Sequence, residues 1–231
     1  MNVEKYLGMQ KNFYENAASQ WSITNDTIVG TYFEHNSWED YDKYLFKDFD
    51  TSELIALEYG CGPGRNIIKF NNRFKRIDGV DIAQHNIDKA RQNLIDHNVE
   101  VSNLFSCDGK SIPAPDQTYD VVFSVICMQH IACYDVRFNI FKEVHRVLKP
   151  NGYFCFQLGY GGRAHPPISG YYDNLYDVNG TNGLYDVSVM DENDLRKDLT
   201  EKLPFKNFKA DIRPTGPGDT HANWIWTQVQ K

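Results

Sequence analysis

Between Ala56 and Asn66 the chain reads A-L-E-Y-G-C-G-P-G-R-N, and no other stretch limits its possible folds so tightly. A short apolar run, Leu54-Ile55-Ala56-Leu57, leads to an acid, Glu58, and then to glycines on alternate positions, Gly60, Gly62 and Gly64. The run is too short for a free-standing helix and is bounded by turn formers, so it reads as a buried parallel strand entering a tight turn. Glycines there permit positive φ and let a ligand approach the backbone with no Cβ in the way. Beyond the turn, Ile67, Ile68, Phe70 and Phe74 suit a helix whose free N–H groups point back at it. The pattern implies a nucleotide-type ligand site at the carboxyl edge of a parallel sheet.

Four further segments extend the pattern. Residues 77–82 (I-D-G-V-D-I) read as a second strand ending in Asp81, about twenty residues beyond the first glycine, where doubly wound folds place an acid on ribose hydroxyls. A strand-end aspartate capping the helix that begins near Ala83 is the plainer reading of the same residue. Residues 102–108 end in Asp108-Gly109 and are followed by Ile112-Pro113. Residues 119–131 (Y-D-V-V-F-S-V-I-C-M-Q-H-I) and 142–154 (K-E-V-H-R-V-L-K-P-N-G-Y-F) complete a strand, a helix, a turn and another strand.

The glycine spacing departs from the dinucleotide fingerprint, which puts two residues between its second and third glycines. With an acid two positions before the first glycine, it resembles motif I of the class I S-adenosylmethionine-dependent methyltransferases, and the other segments follow in that family's order over residues 54–158. The resemblance implies an α/β, doubly wound, Rossmann-like sheet of seven strands in the order 3-2-1-4-5-7-6 with the last strand antiparallel. It implies S-adenosyl-L-methionine as cofactor, with Glu58, Gly60, Cys61, Gly62, Gly64 and Arg65 in the first loop. Asp81 and Ile82 then serve ribose and adenine, Cys107, Asp108 and Gly109 flank adenine, and Ser124 and Val125 border the methionine portion. Two departures are visible. Asn151-Gly152 stands where the family often has Gly-Gly, and Asn tolerates left-handed backbone. Val125 stands at an often polar position, which leaves a backbone carbonyl for the cofactor.

At 231 residues the chain fits one domain with one large core. Residues 1–50 form a helical cover rich in aromatics, with helices near 6–17 and 38–46; residues 51–158 form the cofactor-binding core; 159–190 are a substrate-side insertion; and 191–231 hold a last helix capped by Asp191 and two strands. No apolar run approaches the ~20 residues of a membrane span, and the N-terminus lacks a signal-peptide core, so a cytoplasmic protein is expected. A net charge of −7 disfavours nucleic acid as a partner, because phosphate binding needs concentrated Lys and Arg. The five cysteines form no Cys-x-x-Cys pair and read as small apolar core groups, with no metal site.

Methyl transfer is an in-line displacement on a cofactor that is already an electrophile, so catalysis can come largely from alignment, worth roughly 7–11 kcal/mol of barrier. A base helps only where the acceptor must lose a proton. His130, His165 and His221 are the candidate bases, since His alone is half neutral near physiological pH without special tuning. No Asn/Asp-Pro-Pro-aromatic motif follows strand four and no Pro-Cys dipeptide occurs, which argues against nucleic-acid bases as acceptors. The expected acceptor is a small molecule methylated on N or O, with a cationic amine favoured by the negative charge and the tyrosine-rich covering segments. Three alternatives stand: a protein side-chain methyltransferase, a nicotinamide-dependent dehydrogenase, and a non-catalytic cofactor-binding protein. Oligomeric state is not legible.

Overall fold

The computed structural model describes residues 3–18, 41–100, 103–163, 169–177, 186–214 and 221–231. Helix α1 (Val3–Ala18) and the short α2 (Asp42–Leu45) precede strand β1 (Ile55–Tyr59), and the apolar run before the glycine turn is that strand. There follow α3 (Arg65–Phe70), β2 (Arg76–Asp81), α4 (Gln84–Asp96), β3 (Leu104–Ser106), β4 (Tyr119–Ser124), α5 (Tyr134–Val147) and β5 (Leu148–Arg163). The chain closes with β6 (Ser188–Val189), α6 (Glu192–Arg196, continuing in wider turns to Lys202), β7 (Lys206–Pro214) and β8 (His221–Gln230).

The sheet runs β3-β2-β1-β4-β5-β8-β7, with β6 pairing beside β5. Strands β1 to β5 are parallel, and β8 is antiparallel to both β5 and β7. With the two-residue β6 set aside, this is the expected order, and β8 is the expected reversed strand. Alternate residues of each central strand face opposite layers. Leu57, Tyr59 and Val122 pack with α1, α5 and α6, whereas Ala56, Val121 and Phe123 pack with α2, α3 and α4. The helical stripes Ala83-Ile87-Ala90-Leu94 and Val136-Ile140-Val144-Val147 are buried against the sheet, as their spacing requires.

Two boundaries differ from the expected ones. Strand β5 does not stop at Leu158; it continues to Arg163, paired with β8 through Gly159↔Trp224, Tyr160↔Asn223 and Arg163↔His221. The Gly161-Gly162 pair, which reads as loop chemistry, takes φ of 76° and 96° and forms an irregularity that lets the strand resume. At the other end Ser188 and Val189 return to the sheet beside Gly159 and Tyr160. Asn151 is left-handed at φ 64°, as its place in the turn demands. Asp191 caps α6, its carboxylate accepting from the Asn193 N–H at 3.0 Å.

A buried polar cluster ties α5 to the segment 169–177. Arg137 is fully buried and donates to the carbonyl oxygens of Ile131 and Tyr171. Asp198, also buried, accepts from the Tyr171 hydroxyl at 2.8 Å and the Tyr134 hydroxyl at 3.1 Å and pairs with Lys202 at 2.7 Å. Arg137→Met leaves two buried carbonyls without these donors, and we expect it to cost about 3 kcal/mol in urea denaturation. A loss below about 1 kcal/mol would show that the cluster is not what fastens this segment.

Candidate functional site

A cavity lies across the carboxyl ends of β1, β2 and β4. Helix α1 roofs it with Tyr6, Leu7, Gln10 and Tyr14, three of which recur at the four-residue spacing of one helix face. The roof is fastened at both ends. The Tyr6 hydroxyl accepts from the Ala132 N–H at 2.8 Å and from Gln10 Nε2 at 3.0 Å. Near the other end Glu15 accepts the N–H groups of Gln84 at 2.7 Å and His85 at 3.0 Å. Helix α4 begins at Ala83, which has no side chain able to cap it, so a carboxylate from α1 supplies the missing acceptor. Nothing in the spacing of Glu15 announces this role.

The three motif glycines serve different ends. All have positive φ, at 76°, 50° and 85° for Gly60, Gly62 and Gly64. A Cβ on Gly60 would lie 2.3 Å from Cys127 Sγ, so this glycine lets the loop after β4 close on the turn. A Cβ on Gly64 would meet the Ala90 Cβ at 3.3 Å, so this one serves the packing of α4. A Cβ on Gly62 would meet nothing within 4 Å, and Gly62 lines the cavity. Only the middle glycine is a cradle that a side chain would fill.

Asp81 stands at the cavity and also caps the start of α4. It lines the cavity, and one carboxylate oxygen accepts from the Gly62 N–H at 2.9 Å. The other accepts from the Ala83 N–H at 2.9 Å and from Asn86 Nδ2 at 3.0 Å. Burial pushes its carboxyl up, and those donors oppose the rise without cancelling it. Glu58 lies beneath the loop, buried, and does not reach the cavity wall. Its Oε1 accepts from Asn66 Nδ2 at 2.5 Å, Asn66 in turn accepts from the Tyr41 hydroxyl, and Oε2 has no hydrogen-bond partner.

Among the other expected cofactor residues, Ile82 and Gly109 line the cavity. Asp108 turns its carboxylate onto its own loop, accepting from the N–H groups of Lys110 and Ser111 at 2.8 Å each. Burial raises the Asp108 carboxyl, but the Ser111 and Lys110 donors outweigh it and leave it below its ordinary value. Ser124 and Val125 are buried under the floor, with Ser124 Oγ donating to the Tyr59 carbonyl at 2.8 Å. The wall there is made instead by Ile126 and Cys127. Ile126 holds φ 51°, a costly conformation for a β-branched residue, with its N–H on Gln157 Oε1 at 3.0 Å. Cys61 points under the loop towards Gly79, Cys107 is buried beside it, and Arg65 is buried in the first turn of α3. Burial pushes the thiols of Cys61, Cys107 and Cys127 up, so they stay protonated and inert.

The three candidate histidines separate. His130 lines the cavity three residues beyond Cys127. His221 is buried, packed on Gly159 and the Trp224 ring, and does not reach the cavity wall. His165 lies outside the described residues, as do the aromatics of residues 19–40 and much of the anticipated insertion. Asp186, which the sequence reading passed over, stands between the other two: His130 Nδ1 is 2.7 Å from Oδ1, and His221 Nε2 is 3.4 Å from Oδ2. No local spacing announces it, because the three residues are far apart in the chain, with His130 beyond β4, Asp186 just before β6 and His221 opening β8. Among the described residues there is no cluster of His, Cys, Asp and Glu able to hold a metal ion, and no helix is long and apolar enough to cross a membrane.

Glu58 yields a pH prediction. Burial pushes its carboxyl up from 4.5 to about 8, against the pull of the Asn66 amide and the Arg65 charge. The folded protein therefore holds a proton that the unfolded chain has released, and this stabilising share is complete below pH 4.5 and lost as pH rises through about 8. Glu58→Gln should flatten the fall in stability between these limits by a few kcal/mol in denaturation of the ligand-free protein. Identical pH profiles for the variant and the natural protein would contradict the burial of this carboxyl.

The comparisons agree with this geometry. A family profile described as a methyltransferase domain matches residues 57–156. A malonyl-[acyl-carrier protein] O-methyltransferase of Serratia marcescens is 30% identical over 100 residues, covering 43% of this chain and 36% of that protein. An N-terminal Xaa-Pro-Lys N-methyltransferase 1 of Danio rerio is 27% identical over 154 residues, covering 62% of this chain and 69% of that protein. The chain thus spans little more than a third of the length of relatives such as the Serratia enzyme. In fold, it is similar to the phosphoethanolamine N-methyltransferase 2 of Haemonchus contortus, solved with phosphomonomethylethanolamine and S-adenosylhomocysteine. That likeness has a TM-score of 0.64 at 16% identity and covers 96% of this chain and 59% of that one. Over residues 57–156 the chain is thus similar to methyltransferase domains, and its fold is that of solved S-adenosylmethionine-dependent methyltransferases.

Proposed function

We propose that this chain transfers a methyl group from S-adenosylmethionine to nitrogen or oxygen of a small-molecule acceptor. The observation that carries the reading is the roofed cavity at the carboxyl edge of the sheet, where Gly62 leaves room for a ligand against bare backbone and Asp81 presents a buried carboxylate. When bound, the cofactor supplies a methyl already activated by its sulfonium. Asp81 would hold the ribose, Ile82 and Gly109 would flank the adenine, and Gly60, Ile126 and Cys127 would border the methionine end, on the side of the cavity that His130 lines. Glu58, with an oxygen lacking a partner, supports the loop from below and supplies negative charge to a cationic ligand when ionised.

The acceptor enters at the His130 end, where Tyr14 also faces the cavity. Burial pushes the Tyr14 phenol well above its ordinary value, so it acts as an O–H donor and not as a base. Tyr6, Tyr14 and Tyr59 in the wall, with a net charge of −7, suit a cationic amine. The roof of α1 favours a small acceptor over a protein chain, and the Danio relative, whose name describes an N-terminal protein methyltransferase, is the observation on the other side.

Gly62→Val tests the cofactor site. Its Cβ meets no protein atom, so circular dichroism should report a folded protein, while S-adenosylhomocysteine binding by calorimetry falls at least ~100-fold. Unchanged affinity in the folded variant would place the ligand elsewhere.

A further inference from the structure

Within the cavity described above, few groups can accept a proton. Asp81 already accepts three N–H donors, the buried cysteines and Tyr14 hold their protons, and His130 remains. How its imidazole is held then decides what acceptor the site can serve. Its Nδ1 lies 2.7 Å from Oδ1 of Asp186, a carboxylate that is itself 97% removed from solvent, judging by a side-chain exposure of 3%. A carboxylate only accepts, so Nδ1 must carry the hydrogen. The lone pair of neutral His130 is then on Nε2, which Asp186 does not touch and which the Gln129 side-chain amide approaches only at 3.5 Å, the outer limit of a hydrogen bond. Asp186 is fixed in turn. Val187, next in the chain, donates its N–H to the Gln129 carbonyl at 2.7 Å, and the Asp186 carbonyl accepts from the Ser169 N–H at 3.3 Å. The buried imidazole of His221 approaches Oδ2 at 3.4 Å, an ion-pair distance longer than a good hydrogen bond. Burial alone would push the Asp186 carboxyl up, yet the two imidazoles more than offset it and hold it well below the usual carboxylate range.

We propose that Asp186, backed by His221, is a positioning residue that fixes His130 with Nε2 as proton acceptor, and that the site therefore methylates an acceptor whose attacking atom bears a proton: a hydroxyl or an amine, not a carboxylate. The inference rests on the methyl-transfer reading of the cavity. In the step, the acceptor heteroatom forms its bond to the methyl carbon and its proton passes to His130 Nε2. The electron pair of the broken carbon–sulfur bond stays on sulfur, leaving S-adenosylhomocysteine, and the proton is later released to solvent. A carboxylate acceptor arrives already deprotonated and has no use for such a dyad.

Two measurements on the full chain test this. In protein labelled with ¹⁵N-histidine, long-range ¹H–¹⁵N spectra taken where imidazole is neutral should show His130 protonated on Nδ1 and bare on Nε2, with His130→Gln giving the assignment. Asp186→Asn should lose that fixed tautomer yet bind S-adenosylhomocysteine within about twofold of the natural protein, and Asp186→Glu should restore the tautomer in part. A His130 protonated on Nε2 in the natural protein, which needs no variant to fold, overturns the proposal, as does a tautomer indifferent to Asp186→Asn. Secondly, methyl-labelled S-adenosylmethionine is incubated with a small-metabolite extract. The label should enter products that survive mild alkali, as ethers and N-methyl groups do, and Asp186→Asn should slow its transfer by about 10²- to 10⁴-fold. Alkali-labile label, the mark of a methyl ester, overturns the acceptor class while leaving methyl transfer intact. No label transfer together with no S-adenosylhomocysteine binding overturns the methyl-transfer reading itself.

Discussion

One buried carboxylate joins the two loops on which the cavity depends. Asp81, at the end of β2, accepts from Gly62 in the turn after β1 and from Ala83 and Asn86 at the start of α4. The β1 turn is held to the same strand from its other side, since the Gly60 and Cys61 N–H groups both donate to the Val80 carbonyl, at 2.8 and 3.1 Å. Such a carboxylate is costly to bury and is tolerated because three donors meet it. The floor of the cavity is thereby tied to β2 on both sides, and preorganisation of that kind reduces the ordering cost of binding.

The roof depends on the same region. Helix α4 lacks a cap of its own, and Glu15 of α1 supplies one, so the element that covers the cavity is attached to the element that Asp81 orders. At the far end the cover is fastened through Tyr6 to Ala132, in the loop that carries His130. The Asp81 end and the His130 end of the cavity are therefore bridged by one helix. For a reaction in which alignment of two partners supplies much of the rate, this coupling of floor, roof and His130 loop is the useful property.

Much of this was legible in the sequence because it is local. The glycine turn, the acid at the end of β2, the helical stripes and the Asp191 cap each lie within a few residues of one another, and their periods or spacings report them. The strand order came from the resemblance, not from periodicity. What stayed hidden depends on contacts between distant segments. The cap that Glu15 of α1 gives α4, Asp186 between His130 and His221, and the different neighbours of Gly60, Gly62 and Gly64 are set by packing that no local pattern records. The wall after β4 shows the same limit: Ser124 ends the strand and Val125 follows it, but the left-handed turn at Ile126 brings Ile126 and Cys127 to the cavity instead. The boundary expected at residue 158 fell short for a different reason, since Gly161 and Gly162, residues that commonly mark a loop, here mark a bulge within β5.

A crystal structure of the full chain with S-adenosylhomocysteine tests the central claim most directly. The account predicts the ribose hydroxyls on the Asp81 carboxylate, the adenine beside Ile82 and Gly109, and the sulfur at the Cys127 end facing His130. A ligand bound outside the cavity, or one reversed so that adenine lies against His130, would contradict it.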